Sequence, residues 1–154
     1  MYKRQDLLYA AKTTDTSLLR LRRAPPAGAV FSAWTTERPE LGAAVIGVFH
    51  PRAGRQAVAF GRLASYEHCE EAYYCGEDAD PKVLHYLRVD WDRGVAAPGA
   101  SGSGLFLPTG AMVGILSGGF GNCERPRGPD DYGRFDLPYQ GALSRWLGLG
   151  DGMR

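Results

Sequence analysis

The sequence lacks any long apolar run and any excess of charge of one sign. No apolar stretch approaches the ~20 residues that a membrane-spanning helix requires. The 18 Lys and Arg residues nearly balance the 17 Asp and Glu residues, so the formal net charge is +1. A balanced charge gives no electrostatic reason to bind nucleic acid or a membrane surface. We therefore expect neither as a partner.

Cysteine is also scarce, with three residues in the chain. Cys69 and Cys75 bracket a short polar segment and could close a small disulfide ring in an oxidising compartment, which leaves Cys123 over as a free thiol. The first residues do not have the pattern of a signal peptide. No cofactor and no bound metal are expected.

Glycine and proline are abundant, at 21 and 10 residues of 154, and 44% of the chain is hydrophobic. A chain of this length suits one domain with a real core. Many turns between short apolar runs favour an all-β class. We expect extended segments at 7–21 (with a turn at Asp15), 29–34, 42–50, 55–63, 83–91, 105–107, 112–117 and 133–137, a linker at 22–28, a polar loop at 65–82 and a helix at 140–147.

A Gly- and Ser-rich loop at 98–106 is the most informative stretch. Glycines let the backbone turn tightly and point its N–H groups outward. A serine on such a turn has the exposed Oγ and the neighbouring amide donors that an acyl-transfer nucleophile needs. The same composition also fits an ordinary Gly/Ser turn between two strands.

Six segments carry a family pattern in order along the chain, at 14–21, 47–51, 98–103, 112–119, 130–134 and 143–147. Together they resemble the chymotrypsin-type serine endopeptidases, in particular the secreted bacterial lysyl endopeptidases. The resemblance implies a double β-barrel, of which this chain holds mainly the C-terminal barrel and a short C-terminal helix. It assigns residues 1–24 to the last strands of the N-terminal barrel and residues 25–154 to the C-terminal barrel.

The resemblance implies a catalytic role for two side chains. Ser101, which is followed directly by glycine, is the nucleophile, with Ser103 as the rival serine. The backbone N–H groups of Gly99 and Ser101 form the oxyanion hole. Asp15 is the buried carboxylate that orients the imidazole, or else an ordinary turn aspartate. Ala100 stands where many relatives have an aspartate, so no activation salt bridge is expected.

The general base is missing from this pattern. In the family the catalytic histidine precedes the aspartate, and no histidine precedes Asp15. His50, His68 and His85 are interpreted as surface or structural residues. The sequence therefore predicts an incomplete triad.

Substrate selection is implied for the segments that follow the serine. Ser117, Gly118 and Gly119 match the strand that pairs with the substrate backbone. Asp130 matches the carboxylate on the floor of the pocket, which would select Lys or Arg before the cleaved bond. Asp131 is the alternative, and either aspartate could instead be a solvated loop charge.

Three hypotheses follow for function. The chain is the C-terminal part of a secreted or periplasmic serine endopeptidase that cleaves after Lys or Arg, inactive alone because it lacks its histidine and its N-terminal barrel. Alternatively it is a non-catalytic homologue that binds a peptide or protein in the same groove. A third hypothesis is a remnant with no stable fold.

Overall fold

The computed structural model describes residues 5–71, 74–76, 84–122, 124–125 and 128–148. Cys123 and the side chains of Cys69 and Cys75 lie outside this description, although the backbone register sets Cys69 opposite Cys75. The strands are β1 (Gln5–Ala11), β2 (Thr16–Leu21), β3 (Ala44–Phe49), β4 (Ala57–Glu71), β5 (Tyr74–Gly76), β6 (Tyr86–Arg93), β7 (Gly104–Phe106), β8 (Met112–Gly119) and β9 (Asp130–Arg134).

Six of these strands close into an antiparallel barrel. They run in the order β3-β7-β8-β9-β6-β4, and a pairing of β3 with β4 completes the circle. β5 extends the sheet beyond β4. Closure leaves these strands with no open edge and encloses one core of alternating inward side chains. That core includes Val45, Phe49, Leu63, Leu87, Val89, Trp91, Leu105, Val113, Leu116 and Tyr132.

β1 and β2 form a separate two-stranded sheet. One of its faces packs through Tyr9 and Leu18 on a second apolar cluster around Phe135. The other face is apolar and open: Leu7 lies opposite Leu19 in the register, and their exposed fractions are 63% and 46%. The hairpin therefore has one covered and one uncovered apolar face in the described part of the chain.

The chain ends in three short helical stretches without a break: α1 (Asp136–Pro138), a π-helical turn (Tyr139–Leu143) and α2 (Ser144–Leu147). The helix predicted at 140–147 is present and begins four residues earlier. Its apolar side packs on Trp34, whose ring centre lies 4.6 Å from that of Tyr139. No helix in the described ranges has the length and apolar character to cross a membrane.

Two predictions of secondary structure were wrong. Residues 29–34 form no strand beyond an isolated bridge from Trp34 to Met112, and Val30 and Phe31 are exposed. The loop predicted at 65–82 is partly strand, because β4 continues along β6 to Glu67 and along β5 to Glu71. Its polar residues there are paired: Glu67 is buried against Arg88, so burial of a carboxylate does not break the strand.

The last strand begins earlier than predicted. β9 spans Asp130–Arg134, whereas the sequence indicated 133–137. All five of its residues are buried, and the two aspartates are not loop charges. Adjacent strand residues face opposite sides of a sheet, so the two carboxylates reach different surroundings.

Candidate active site

A buried alanine and backbone hydrogen bonds fix the serine turn between β6 and β7. Ala100 is buried in the barrel core, and its N–H donates to the carbonyl of Ala97 at 3.0 Å. The N–H of Gly102 donates to the carbonyl of Leu116 in β8 at 2.7 Å. With its neighbours fixed, Ser101 stands exposed on the turn and lines a cavity.

The rival serine is differently placed. The hydroxyl of Ser103 donates to the carbonyl of Ala100 within the turn, and Ser103 is half-buried. Ser103 does not line the cavity, whereas Ser101 does. Of the two serines, Ser101 is the one that a substrate in this cavity would meet.

The backbone around Ser101 offers two unengaged donors. Among the described residues, no acceptor takes the N–H of Gly99 or of Ser101. Gly99 has φ of +92°, a left-handed conformation that favours glycine. Both residues line the cavity. Two free N–H groups beside a serine Oγ match the donor arrangement that stabilises an oxyanion.

Ser117 connects the two predicted catalytic side chains. Its hydroxyl donates to Asp15 Oδ2 at 2.7 Å, and its carbonyl lies 3.5 Å from Ser101 Oγ. Ser117 was predicted to pair with substrate backbone; the contact of its hydroxyl with Asp15 is an addition that the sequence did not indicate. Asp15 was expected to be buried, but its side chain is exposed. The β1–β2 sheet has two strands, and no third strand in the described part of the chain extends it to cover Asp15.

A close backbone approach holds the Asp15 turn against the barrel. A Cβ on Gly133 would lie 1.8 Å from the carbonyl oxygen of Thr14, so only glycine allows this contact. Thr14 is buried and its carbonyl also accepts the hydroxyl of Thr16 at 3.0 Å. Sequence reasoning missed Gly133, since nothing in the chain pattern predicts which strand the turn meets.

The cavity beside Ser101 has a volume of about 460 Å³ and Asp130 in its wall. Asp130 is 2% exposed, and its Oδ2 accepts the indole N–H of Trp91 at 2.7 Å. Burial raises the pKa of Asp130, and hydrogen bonds from Trp91 and from the backbone of Gly121 and Ala96 oppose that rise. The cavity is lined by residues 96–99, 101, 116, 118–122, 125 and 130.

The predicted glycines lie beside Asp130. Gly118 and Gly119 both line the cavity, and Gly119 pairs with Asp130 between β8 and β9. A Cβ on Gly119 would lie 2.0 Å from Asp130 Oδ1. Because Gly119 has no side chain, the Asp130 carboxylate fits beside it.

Asp131 faces away from the cavity and is part of an ion-pair cluster. Its two oxygens accept from the guanidinium of Arg88 at 2.9 and 3.1 Å, and Arg88 also lies 3.3 Å from Glu67. Burial raises the pKa of Asp131, and Arg88 opposes that rise. Asp131 is not among the cavity-lining residues, so the geometry favours Asp130 as the one that meets a ligand.

The three histidines lie elsewhere. His50 Nδ1 is 3.3 Å from the carbonyl of Gly54, and the rings of His68 and His85 are 5.6 Å apart. Burial lowers the pKa of His85, and the neighbouring His68 and Arg134 lower it further. No histidine in the described ranges lines the cavity with Ser101.

Comparison with known proteins places the chain in a family. The family model described as lysyl endopeptidase, C-terminal domain, matches residues 1–133. A lysyl endopeptidase from Pseudomonas aeruginosa (strain PAO1) is 30% identical over 125 residues, which cover 79% of this chain and 25% of the relative. The chain thus spans about a quarter of the length of that relative.

Solved structures show the same fold. The HtrA-type protease AlgW with a decapeptide has a TM-score of 0.63 at 17% identity, covering 91% of this chain and 39% of that chain. Kallikrein-related peptidase 10 has a TM-score of 0.65 at 19% identity, covering 86% and 64%. The Rv3671c protease of M. tuberculosis, in its active form, has a TM-score of 0.59 at 17% identity, covering 97% and 60%. The chain therefore belongs to the lysyl endopeptidase C-terminal domain family, and its barrel has the fold of the matching barrel in these protease structures.

Proposed function

We propose that this chain is the nucleophile-bearing part of a serine endopeptidase that cleaves after Lys or Arg. Ser101 is the nucleophile, the N–H groups of Gly99 and Ser101 bind the oxyanion, and Asp15 orients the catalytic imidazole. The observation that supports it most is the shared contact of Ser117 with Asp15 and with Ser101. It brings together two residues from distant segments at one end of the barrel, as a triad needs.

The chemistry proposed for these residues is acyl transfer. Ser101 Oγ attacks the carbonyl carbon of the scissile bond while its proton passes to an imidazole held by Asp15. The N–H groups of Gly99 and Ser101 stabilise the negative oxygen that forms. The amine leaves with that proton, and water then releases the acyl group from Ser101 by the same steps.

Specificity is proposed to come from Asp130. Its carboxylate is buried in the cavity wall that reaches from Ser101, and its second oxygen faces Gly119. A Lys or Arg side chain that enters the cavity would pair with it in a site of low dielectric, where a charge pair is strong. An uncharged side chain of the same length would leave the carboxylate without a cation.

We propose that the histidine is supplied by an N-terminal barrel that packs on the open face of the β1–β2 hairpin. That face carries the exposed side chains of Leu7, Leu19 and Leu21. A two-stranded sheet alone is marginally stable and gains stability when more strands cover its apolar face. Without the histidine, catalysis is expected to fall by ~10⁴- to 10⁶-fold. The chain alone is therefore proposed to be inactive.

The proposed substrate is a peptide or protein, and the proposed location is secreted or periplasmic, as the relationship to lysyl endopeptidase suggests. One structural neighbour was solved with a decapeptide bound. A non-catalytic homologue that only binds peptide would use the same cavity and differs by having no histidine-bearing partner segment.

The test is to map the 5′ end of the transcript and read the coding sequence upstream of Met1. The proposal expects an in-frame extension with a histidine after an apolar strand. The extended chain should hydrolyse a lysine p-nitroanilide, and Ser101→Ala should abolish that activity. A start at Met1, with peptide binding retained, would support the non-catalytic homologue instead.

A further inference from the structure

The peptide bond between Pro98 and Gly99 accepts a hydrogen bond from a residue outside the serine turn. The carbonyl oxygen of Pro98 accepts the backbone N–H of Arg52 at 2.8 Å. The other backbone hydrogen bonds of the turn involve residues on either side of this peptide and not its carbonyl. Arg52 therefore makes the described hydrogen bond that fixes the orientation of the Pro98–Gly99 peptide.

The orientation matters because a trans peptide is planar. Its N–H points opposite to its C=O, and the chain has no cis peptide in the described ranges. With the Pro98 carbonyl directed at Arg52, the Gly99 N–H is directed away from Arg52, which does not line the cavity. A flip of this peptide would turn the carbonyl oxygen, instead of the N–H, toward an oxyanion.

The donor comes from a strained turn. Arg52 has φ 53° and ψ 34°, and Ala53 has φ 53°, so two consecutive residues with side chains adopt the left-handed conformation. The turn is closed by the N–H of Gly54, which donates to the Pro51 carbonyl at 2.8 Å. Such strain persists where surrounding contacts over-determine the backbone, and it is concentrated at functional sites.

The fit between the two turns is close. A Cβ on Gly99 would lie 3.2 Å from the Arg52 nitrogen, so the glycine permits the approach. Ala100, the next residue, is buried in the apolar core, and its side chain has no polar atom that could anchor the turn. The hydrogen bond from the Arg52 N–H to the Pro98 carbonyl anchors the turn instead, a role that a charged side chain at position 100 could have had.

We propose that Arg52 is a positioning residue: the strained Pro51–Ala53 turn, through the Arg52 N–H, holds the Pro98–Gly99 peptide in the orientation that presents the Gly99 N–H to an oxyanion. This inference rests on the proposed function, because that N–H has a role only if a substrate carbonyl or product carboxylate lies beside Ser101.

The test uses two peptides, acetyl-Ala-Ala-Lys with a free carboxylate and the same peptide with a C-terminal amide. A hydrogen bond to a charged acceptor is stronger than one to a neutral acceptor, so the chain should bind the carboxylate form roughly tenfold more tightly, as measured by calorimetry. Arg52→Pro removes the N–H and, because proline cannot adopt a positive φ, also the left-handed turn, so it should bring the ratio of the two affinities to about 1 while the affinity for the amide peptide stays within twofold. Arg52→Gly keeps the N–H and fits the left-handed conformation, so it should retain the ratio. Arg55→Gly, an exposed residue nearby, is the control.

A second measurement needs no peptide. Residual dipolar couplings give the orientation of the Gly99 N–H in the free protein, and that orientation should change in Arg52→Pro and not in Arg52→Gly. In the unmutated chain, the Arg52 amide should be protected from hydrogen exchange. If Arg52→Pro does not fold, the hydrogen-exchange protection of the Arg52 amide in the unmutated chain decides the question.

The outcomes separate the two proposals. The positioning role would be overturned if Arg52→Pro left unchanged both the ratio of the two peptide affinities and the orientation of the Gly99 N–H. An Arg52 amide that exchanges without protection in the unmutated chain would overturn it as well. If the unmutated chain binds neither peptide, the proposed function is contradicted, and the dipolar couplings still decide whether Arg52 orients the peptide.

Discussion

The Ser117 hydroxyl donates to the Asp15 carboxylate at 2.7 Å across 102 positions of sequence. The contact joins the turn of the β1–β2 hairpin to Ser117, near the end of the barrel strand β8. It places a carboxylate beside the serine turn.

A double-mutant cycle on this pair should detect the contact. Because Asp15 is exposed and Ser117 is half-buried, we expect the coupling between Ser117→Ala and Asp15→Ala to be about 0.5–1 kcal/mol in the free energy of unfolding. Urea denaturation of the two single variants and the double variant measures it. Additive effects would show that the hydrogen bond contributes nothing in solution.

The close approach at Gly133 gives a stronger effect. A Cβ there would overlap the Thr14 carbonyl, so Gly133→Ala should displace the Asp15 turn and cost about 1–3 kcal/mol of stability. Gly141→Ala is the matched control, since a Cβ at that position meets nothing within 4 Å. Thermal unfolding of both variants is the measurement, and equal losses would contradict the account.

The two adjacent aspartates should separate by function. Asp131→Asn breaks a double hydrogen bond to the half-buried Arg88 and should cost about 1–3 kcal/mol, although Glu67 remains beside Arg88. Asp130→Asn should cost less than Asp131→Asn, because the amide oxygen still accepts from Trp91 and a buried charge is removed, although the amide NH2 cannot accept from the backbone N–H groups of Gly121 and Ala96. Denaturant titrations at pH 7 test this order, and a larger loss in Asp130→Asn would reverse the assignment.

Peptide affinity should depend on pH through Asp130. Burial raises its pKa, so as the pH falls Asp130 takes up a proton earlier than an exposed aspartate, whose pKa is near 3.8. A bound lysine then loses its counter-charge, and affinity is expected to fall at a pH above the ordinary aspartate range. Burial also raises the pKa of the neighbouring Asp131, but that carboxylate pairs with Arg88 and does not line the cavity. Calorimetry between pH 4 and 8 follows this loss, and Asp130→Asn should flatten the curve.

Sequence patterns predicted an all-β chain and the serine turn because both depend on local chemistry, whereas the barrel was implied by the family resemblance. Alternating apolar runs give the strands, and the Gly/Ser composition of the turn places Ser101. Asp15 and Asp130 were proposed from a family resemblance, and composition alone could not have distinguished Asp130 from Asp131. What decided between them is strand alternation together with Arg88, which lies on another strand.

Other features depend on tertiary contacts that no local pattern reveals. The composition of residues 65–71 is polar and predicts a loop. They form a strand because the buried carboxylate of Glu67 pairs with Arg88. Residues 29–34 have apolar side chains but no neighbouring strand to pair with, apart from the bridge at Trp34. The contacts of Gly133 with Thr14 and of Arg52 with Pro98 join distant turns.

The most direct test of the account compares two peptides, acetyl-Ala-Ala-Lys and acetyl-Ala-Ala-norleucine, which differ by a charged ammonium at the end of side chains of similar length. The unmutated chain should bind the lysine peptide at least about tenfold more tightly, since an ion pair in a water-poor cavity is strong. In Asp130→Asn the two affinities should become equal, while Ser117→Ala should keep the difference. Equal binding of both peptides by the unmutated chain, or a lysine preference that survives Asp130→Asn, would contradict the proposed specificity.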